Sequence, residues 1–332
     1  MESKVFITGG SGFIGTNLVD LLLEKGYSII NFDKQAPIRK EHLSFWKEGN
    51  IMNAVQIEEA MKASNPDIVI HLAARTDTLS DLLSDYDENI TGTQNVLDAI
   101  KKTPSVKRSV ITSTQYVYKS DDKVFPSSDI DFKPHTIYGQ SKVLTEEFTR
   151  KADLQGVWAI VRPTNIWGPW HMRYPNELWK VIDKGIYYHP VKHDVIRTYG
   201  YVKNIVHQIY GIMVADESIV HKRMFYVGDV AIDSYEWLNE WSVQLTGKPV
   251  KRIPKFIFQT VALGGDVLRK FKIPFPLYSK RFHNMIEDYP APTDITIELF
   301  GVAESDIKKN VAESIKWLKT DGKQFFDYWK NK

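Results

Sequence analysis

The sequence predicts an α/β fold in which a doubly wound parallel sheet carries a smaller C-terminal lobe. Glycines at Gly9, Gly12 and Gly15 separate a short apolar run from an amphipathic stretch of helical spacing. Runs of β-forming residues then alternate with helical patterns as far as Pro169, which is typical of parallel sheets with crossover helices. Beyond Pro169 the loops lengthen, and prolines and aromatic residues become frequent. These observations predict the fold class.

The glycine turn is the most informative stretch of the chain. Residues 5–7 form an uninterrupted apolar run, as expected of a strand that is buried on both faces. Gly9 permits a tight turn, Gly12 lets a pyrophosphate approach the backbone, and Gly15 lets helix and strand pack closely. The helix that follows offers free N–H groups and a positive dipole end to an anion. The turn is therefore a predicted Rossmann-type dinucleotide site, although its spacing is G-x-x-G-x-x-G rather than G-x-G-x-x-G.

A second strand pattern, over residues 28–33, ends in Asp33. Asp33 lies about 20 residues beyond the glycine turn, where an acid accepts hydrogen bonds from the adenosine ribose of a dinucleotide. Because such an acid repels a ribose 2′-phosphate, we predict NAD rather than NADP. Lys34 and Arg39 follow closely and weaken that preference, so NADP stays open.

The remaining elements of the first half follow in regular order. We predict strands over 67–74, 108–114 and 157–163, and helices over 56–63, 88–102 and 138–152. The first of these strands ends in Ala73 and Ala74, whose side chains are small enough for a cofactor to lie against.

This order predicts two parts, a dinucleotide-binding Rossmann domain over residues 1–169 and a mostly substrate-binding lobe over 170–332. Within the second part, residues 224–228 are a strand that can return to the main sheet. Residues 306–319 have the apolar spacing of an amphipathic helix.

Composition narrows the classes of function. The chain has no cysteine, which excludes disulfides, zinc–thiolate sites and a cysteine nucleophile. Its net charge is +2 and its basic residues are scattered, which argues against a nucleic-acid surface. Its histidines lack metal-ligand spacing, which argues against a metal site. No apolar run reaches membrane-spanning length, and the chain enters a strand at once, without room for a signal peptide. We therefore predict a cytoplasmic protein with no metal, nucleic-acid or membrane partner.

Tyr138 and Lys142 stand four residues apart in a predicted helix, which places both side chains on one helix face. A tyrosine ordinarily titrates near pH 10, and lowering that by about three units requires about 4 kcal/mol. A lysine ammonium and the positive nicotinamide of an oxidised cofactor could supply this energy at close range. Tyr138 would then exchange a proton with an alcohol while hydride moves to or from nicotinamide. Lys142 could also hold the nicotinamide ribose.

Hydroxyl residues end the predicted strand over 108–114. Ligands of doubly wound sheets bind outside the carboxyl ends of the strands, so we predict that Thr114 hydrogen-bonds the reacting oxygen. Each feature is weak alone. Their order along the chain (glycine turn, strand-end acid, hydroxyl strand end, Tyr-x-x-x-Lys) predicts a hydride-transfer enzyme.

In these motifs the chain resembles the extended short-chain dehydrogenases/reductases, specifically their nucleotide-sugar epimerase/dehydratase branch. The resemblance covers at least the first 230 residues and rests on 8–15 (TGGSGFIG), Asp33, 71–74 (HLAA), Asn89 with 92–95 (GTQN), Ser113 and Thr114 before Val117 and Tyr118, 138–142 (YGQSK) and 162–169 (RPTNIWGP). It implies a nucleotide-sugar substrate, and a homodimer formed through the helices near 89–102 and 138–152.

The resemblance also implies roles for individual positions. Asn165 is expected to contact the substrate and Arg197 the phosphates of its nucleotide, while Asn50 stands where an aspartate usually contacts adenine. The predicted catalytic residues are Thr114, Tyr138 and Lys142. The predicted cofactor-binding residues are Gly9, Gly12, Phe13, Ile14, Gly15, Asp33, Asn50, Ile51, Leu72, Ala73, Ala74, Asn89, Tyr138, Lys142 and Pro163. The predicted substrate-binding residues are Thr76, Thr114, Gln115, Asn165 and Arg197.

Departures from the family pattern narrow the chemistry. Sugar 4,6-dehydratases carry Asp-Glu directly after the hydroxyl residue. This chain has Gln115 and Tyr116 there, and neither side chain can act as a carboxylate acid or base. Two reactions remain. One is epimerisation, most simply at carbon 4 of a nucleotide sugar, with tightly held NAD. The other is reduction of a 4-keto sugar nucleotide by exchangeable NADH or NADPH. Asp33 favours NAD, and with it the epimerase.

Two further alternatives stay open. A 3β-hydroxysteroid-type dehydrogenase shares the motifs, and the apolar segment 256–278 is compatible with it. A redox-sensing binding protein with the same fold would usually lose the catalytic tyrosine or lysine, and this chain keeps both.

Overall fold

Thirteen strands occur in the part of the chain that the structure, a computed structural model, describes: residues 3–119, 124–191, 194–273, 275 and 277–330. In chain order they are β1 (Lys4–Thr8), β2 (Ser28–Asp33), β3 (Trp46–Glu48), β4 (Ile68–His71), β5 (Arg108–Thr112), β6 (Val157–Pro163), β7 (Asn165–Trp167), β8 (Tyr188–Val191), β9 (Ile196–Arg197), β10 (Tyr199–Tyr201), β11 (Arg223–Val227), β12 (Ile232–Asp233) and β13 (Lys251–Pro254).

Seven of these strands form one parallel sheet in the order β11-β6-β5-β4-β1-β2-β3. The apolar runs predicted as buried strands lie at its centre, and Val5, Phe6 and Ile7 are fully buried. The predicted doubly wound parallel sheet is therefore confirmed. The bounds of β2 and β6 are those predicted from the sequence.

The α-helices of the described residues are α1 (Phe13–Glu24), α2 (Ala54–Ser64), α3 (Asp87–Lys101), α4 (Ile137–Lys151), α5 (Lys180–Asp183), α6 (Val202–Val214), α7 (Glu217–Val220), α8 (Ser234–Thr246), α9 (Lys255–Lys270), α10 (Ser279–Ile286), α11 (Asp294–Phe300), α12 (Ile307–Lys319) and α13 (Asp327–Lys330). The predicted helices over 56–63, 88–102, 138–152 and 306–319 correspond to α2, α3, α4 and α12, each within two residues at either end. No helix of the described residues is both long enough and apolar enough to cross a bilayer.

Helices cover both faces of the main sheet. On one face α1 and α6 pack against it through residues such as Leu18, Leu22 and Ile205. On the other face α2 and α3 do so through residues such as Ile57 and Leu97, and α4 packs beside α3. Both α6 and β11 come from beyond residue 169. The layers around the main sheet therefore include segments of the second half, and the division at residue 169 stays a prediction.

Two strand ends differ from the prediction. β5 ends at Thr112 and β4 at His71, two and three residues earlier than the apolar pattern indicates. After β5 the chain turns, because the Thr114 side chain accepts a hydrogen bond from Tyr116 N (3.3 Å) and caps a short 3₁₀ turn. His71 is buried, and its ring lies within hydrogen-bond distance of Thr8 Oγ1 (2.7 Å) and Thr93 Oγ1 (3.1 Å). These bonds fix the end of β4 against β1 and α3.

The second half is organised around an aromatic core. Trp179 stacks on Trp241 with ring centroids 3.6 Å apart, and Tyr199 stacks on Trp237 at 4.1 Å. All four rings are buried, and α12 closes the cluster from one side. Most of the tryptophans and tyrosines between 158 and 201 therefore serve packing, as expected of large apolar side chains.

Candidate active site

A cleft of about 540 Å³ opens at the carboxyl-terminal edge of the main sheet, where β1 and β4 lie side by side. The strand order reverses between them, and ligands of doubly wound sheets bind outside such a point. The predicted site residues that line this cleft are Gly9, Gly12, Phe13, Ile14, Gly15, Asp33, Asn50, Ile51, Leu72, Ala73, Ala74, Thr76, Thr114, Tyr138, Lys142, Pro163 and Asn165. Three predicted residues, Asn89, Gln115 and Arg197, lie outside its lining.

The glycine turn forms the end of the cleft beside α1. Gly9 has φ +77°, and a Cβ there would lie 2.5 Å from Ala73 N. A Cβ on Gly15 would lie 2.4 Å from Gly9 O. In the described chain no side chain caps the start of α1, so its first N–H groups are left for another acceptor. This arrangement suits a pyrophosphate, because the N–H groups and the helix dipole both favour an anion.

The acid end of β2 borders the same cleft. Asp33 Oδ2 accepts a hydrogen bond from Ser11 N (3.1 Å), and Oδ1 accepts one from Gln35 N (2.9 Å). Burial raises the pKa of Asp33, and the hydrogen bonds from the backbone at Gln35 and Ser11 oppose the rise. The carboxylate is thus held at the cleft edge, where a ribose would meet it.

The two cations near Asp33 are both paired with acids. Lys34 forms an ion pair with Glu88, the second residue of α3, and both residues line the cleft. Arg39 Nη1 lies 2.5 Å from Asp20 Oδ2. Each of these two cations therefore has a carboxylate partner within the chain.

Asn89 lies behind the wall of the cleft and is fully buried. Its side chain accepts a hydrogen bond from Arg75 N (2.8 Å) and donates to Arg75 O (2.9 Å) and Ser141 Oγ (2.9 Å). It therefore ties the segment after β4 to α4. In this structure Asn89 acts as a positioning residue.

The reactive side chains predicted from the sequence meet at the other end of the cleft. Tyr138 and Lys142 share one face of α4, and both side chains line the cleft together with Thr114. Burial raises the pKa of Tyr138 above its ordinary value, and the nearby Thr114 side chain only partly opposes this rise. Burial also lowers the pKa of Lys142 to about 7. With a pKa of about 7, Lys142 is only partly charged at neutral pH and favours the Tyr138 phenolate less than the sequence suggested.

Aromatic side chains surround the end of the cleft near Tyr138. Tyr116 lines the cleft and stacks on His135 with ring centroids 5.3 Å apart, and it lies 6.0 Å from Tyr138 and 5.7 Å from Tyr289. Burial raises the pKa of Tyr116, and the charges of Arg197 and Arg173 oppose that rise. Tyr116, which stands in place of a carboxylate residue of the sugar 4,6-dehydratases, thus lines the wall of the cleft.

Gln115 and Arg197 lie near this end without lining it. Gln115 is buried, and neither polar atom of its amide has a hydrogen-bond partner among the described residues. Arg197 Nε donates to Glu287 O (3.0 Å), and its guanidinium also donates to Asn284 O. The present structure therefore gives Arg197 a structural contact with α10.

Several cleft residues were missed by sequence reasoning. The clearest are His171 and Arg173, which line the cleft together with Tyr174. His171 and Tyr174 stack with centroids 4.1 Å apart, and burial lowers the pKa of His171 to about 3. Tyr174 also packs against Trp179 of the aromatic core, with ring centroids 5.5 Å apart. No periodic pattern marks this loop, so only its aromatic content was informative.

Within the described ranges no three His, Cys, Asp or Glu residues form a metal cluster.

Fold and cleft together define a dinucleotide-dependent enzyme of the short-chain dehydrogenase/reductase type. The chain belongs to the NAD-dependent epimerase/dehydratase family, whose model matches residues 5–228. The resemblance expected from the motifs is therefore confirmed, and NAD is the cofactor of the family.

Curated relatives with different activities match the chain. An N-acetyl-α-D-glucosaminyl-diphospho-ditrans,octacis-undecaprenol 4-epimerase of Escherichia coli O157:H7 is 31% identical over 240 residues, which are 69% of this chain and 61% of the relative. A 3-β-hydroxysteroid dehydrogenase of Mycolicibacterium neoaurum is 28% identical over 180 residues, 50% of this chain and 48% of the relative. The chain thus spans about half to three fifths of the length of these relatives.

Solved structures extend the similarity of the fold to nearly the whole chain. The UDP-glucose 4-epimerase of Thermotoga maritima, solved with UDP-glucose, has a TM-score of 0.74 and 20% identity. The match covers 96% of this chain and 99% of the Thermotoga chain. At this identity the match establishes the fold and leaves the substrate open.

Proposed function

We propose that this protein is an NAD-dependent epimerase that acts at carbon 4 of a nucleotide sugar. The observation that carries the proposal is that Thr114, Tyr138 and Lys142 line one cleft together with a glycine turn that suits a pyrophosphate. The Escherichia coli relative is named as a 4-epimerase, and the Thermotoga epimerase was solved with UDP-glucose. These names support a sugar linked through a diphosphate as the substrate class.

The residues of the cleft fit NAD along its length. The N-terminus of α1 would hold the pyrophosphate and Asp33 the adenosine ribose. The small residues Ala73 and Ala74 line the middle of the cleft, and Pro163 lines it near β6. Because Lys34 and Arg39 are paired with Glu88 and Asp20, the adenosine end favours NAD over NADP.

When bound, NAD would accept hydride from the sugar carbon and return it to the other face of the ring. Tyr138 Oη would take the proton of the sugar hydroxyl and later give it back. Thr114 Oγ1 would hydrogen-bond the same sugar oxygen and keep it next to Tyr138. The positive charge of the oxidised nicotinamide would oppose the burial that holds Tyr138 protonated. Lys142, buried beside them, would hold the nicotinamide ribose.

A second candidate is the reduction of a 4-keto sugar nucleotide by NADH or NADPH, which would use the same hydride step and the same side chains, Thr114, Tyr138 and Lys142. The steroid dehydrogenase among the relatives keeps hydroxysteroid oxidation as a third alternative. Gln115 and Tyr116 supply no carboxylate for dehydration. The homodimer through α3 and α4 and the cytoplasmic location stay predictions.

The first experiment is to denature the purified protein and identify any released nucleotide by chromatography and mass spectrometry. Stoichiometric NAD is expected for an epimerase, because its cofactor is recycled within the site. An empty protein that consumes NADH or NADPH only with a keto sugar would instead establish the reductase. Release of no nucleotide, and no binding of added cofactor, would contradict both.

A tyrosine replacement tests the chemistry itself. Tyr138→Phe is expected to abolish epimerisation of UDP-glucose while NAD stays bound, because only the Oη proton carrier is lost. Tyr188→Phe is the matched control, since Tyr188 is exposed. Turnover that persists in Tyr138→Phe would show that another group moves the proton.

A further inference from the structure

The helices α9 and α10 form a hairpin with a small core of its own. Phe258 and Ala262 of α9 face Phe282 and Ile286 of α10, and all four are buried. The rings of Phe258 and Phe282 are stacked, with centroids 6.1 Å apart. This packing uses one face of α9, the face that points into the protein.

The opposite face of α9 is also apolar, but it is exposed. Phe256, Leu263 and Val267 are 67%, 61% and 53% exposed, and Phe271 just beyond the helix is 74% exposed. Their spacing of i, i+7, i+11 and i+15 places them in one stripe. Of the 22 large apolar side chains exposed in the described part of the chain, seven fall within residues 256–273. A concentration of this kind marks an interaction surface.

The segment that carries this stripe is strongly basic. Residues 251–283 contain eight of the 43 Lys and Arg residues of the chain and one of its 41 acids, a net charge of +7. The rest of the chain therefore carries −5. The single acid, Asp266, accepts a hydrogen bond from Ser279 N (3.2 Å) inside the hairpin. Lys255, Lys270 and Lys272 flank the apolar stripe and are exposed.

We propose that this outer face of α9 docks on the surface of an anionic phospholipid bilayer. A helix with aromatic and aliphatic residues on one exposed face and a basic rim lies in the membrane interface, where its apolar side chains enter the acyl boundary and its cations meet anionic headgroups. The sequence was expected to have no membrane partner because it has no membrane-spanning segment. That argument does not apply to a helix that lies flat on the bilayer surface.

A second copy of the chain fits this face less well. Two copies that joined symmetrically through α9 would bring two segments of +7 together, and like charges in contact oppose association. An anionic surface has the complementary sign. The positive charge of residues 251–283 therefore favours an anionic bilayer over a second copy of the chain.

The hairpin is fastened to the body of the protein. Besides the bonds from Arg197 to Asn284 O and Glu287 O, Ile196 N donates to Asp288 Oδ1 (2.9 Å). Lys119 also pairs with Glu287 at 2.8 Å. A bilayer that holds α9 would therefore hold the whole enzyme, so binding is measurable with the full chain.

The test is sedimentation of the full-length protein with sucrose-loaded vesicles. Vesicles of phosphatidylglycerol and phosphatidylcholine in equal parts are compared with vesicles of phosphatidylcholine alone, at low and high salt. We expect at least tenfold tighter binding to the anionic vesicles at low salt, and loss of most of it at high salt. Equal, weak binding to both kinds of vesicle would overturn the proposal.

Two double variants locate the contact. Phe256→Ser with Leu263→Ser removes two exposed side chains of the stripe, and we expect at least tenfold weaker binding. Val55→Ser with Ile295→Ser is the control, because these residues are 64% and 57% exposed outside the hairpin. Equal effects of the two double variants would contradict docking through α9. A native molar mass that halves in the stripe variant would instead identify a second copy as the occupant.

Discussion

Arg162 and Glu146 form a buried ion pair beneath the reactive end of the cleft. Arg162 Nε lies 2.7 Å from Glu146 Oε1, and a second guanidinium nitrogen lies 2.9 Å from Oε2. Glu146 also accepts a hydrogen bond from Ser113 Oγ (2.7 Å), and both ion-pair side chains are fully buried. The pair thus joins α4, one turn beyond Lys142, to β6 and to the residue that precedes Thr114.

Breaking this pair should destabilise the protein strongly. Glu146→Gln leaves the guanidinium buried without its counter-charge, and we expect a loss of about 3 kcal/mol or more in the free energy of unfolding. Glu147→Gln, which removes the exposed partner of Lys151, should cost less than about 1 kcal/mol. Urea denaturation of the two variants measures the difference. Equal midpoints would show that the buried pair contributes little.

Lys142 should give the cofactor-free protein a characteristic pH dependence. Burial lowers its pKa to about 7, while the unfolded chain keeps the ordinary value near 10.5. Below pH 7 both states bind the proton. Above pH 7 the unfolded state binds more protons, so this group makes the free energy of unfolding rise with pH, by at most roughly 1.4 kcal/mol per unit.

A lysine replacement isolates that contribution. Lys142→Met lacks the titrating group, so the stability of the native protein relative to this variant should rise by on the order of 2 kcal/mol between pH 7 and pH 9. Urea denaturation at both pH values measures it. Lys151→Met, which removes an exposed lysine, should show no such change. A constant difference for Lys142→Met would mean that Lys142 stays charged in the folded protein.

The ion pair between Lys34 and Glu88 should contribute to cofactor preference. Glu88→Gln releases Lys34 next to the adenosine ribose, and we expect the affinity for NADP relative to NAD to rise about tenfold, or about 1.4 kcal/mol. Titration calorimetry with both cofactors measures the ratio. Glu58→Gln removes the α2 carboxylate that pairs with Lys62 and with Lys102 at the end of α3, and it should leave the ratio unchanged. An unchanged ratio in Glu88→Gln would mean that Asp33 alone sets the preference.

Gly9 and Gly26 provide a matched pair of glycine replacements. Their φ angles are +77° and +80°, but a Cβ at Gly26 meets nothing within 4 Å, whereas one at Gly9 would lie 2.5 Å from Ala73 N. Gly26→Ala should cost about 1 kcal/mol for the left-handed backbone alone. Gly9→Ala should cost clearly more and weaken NAD binding, since the glycine turn must move away from β4. Thermal unfolding and NAD titration test this, and equal behaviour of the two variants would contradict it.

Local pattern was sufficient for most elements of the first half of the fold, although the short strand β3 was not predicted. The strands β2 and β6 and the helices α3 and α4 could be predicted because each has a clear apolar period and a turn residue at its end. The glycine turn and the Tyr–Lys pair could each be recognised because one depends on a single strand–helix unit and the other on a single helix turn. The order of the strands in the main sheet then brings them into one cleft.

The rest depends on tertiary packing. No local signal shows that Asn89 points away from the cleft into a hydrogen-bond network, or that Arg197 bonds to carbonyls about 90 residues further along the chain. The raised pKa of Tyr138 follows from burial under other segments, which sequence spacing does not report. The cleft residues His171 and Arg173 come from an irregular loop, where periodicity carries no information.

The order in which the strands of the main sheet leave the ribosome has a consequence for biogenesis. β6 is covered on its outer edge by β11, yet residues 164–222 separate the two strands in the chain. At roughly 5–20 residues per second, β6 exposes an unpaired edge for several seconds during synthesis. Its run Trp158–Val161 is apolar, and such an edge pairs readily with other nascent chains. The emergence of β11 is therefore the step that ends the aggregation-prone interval of this protein.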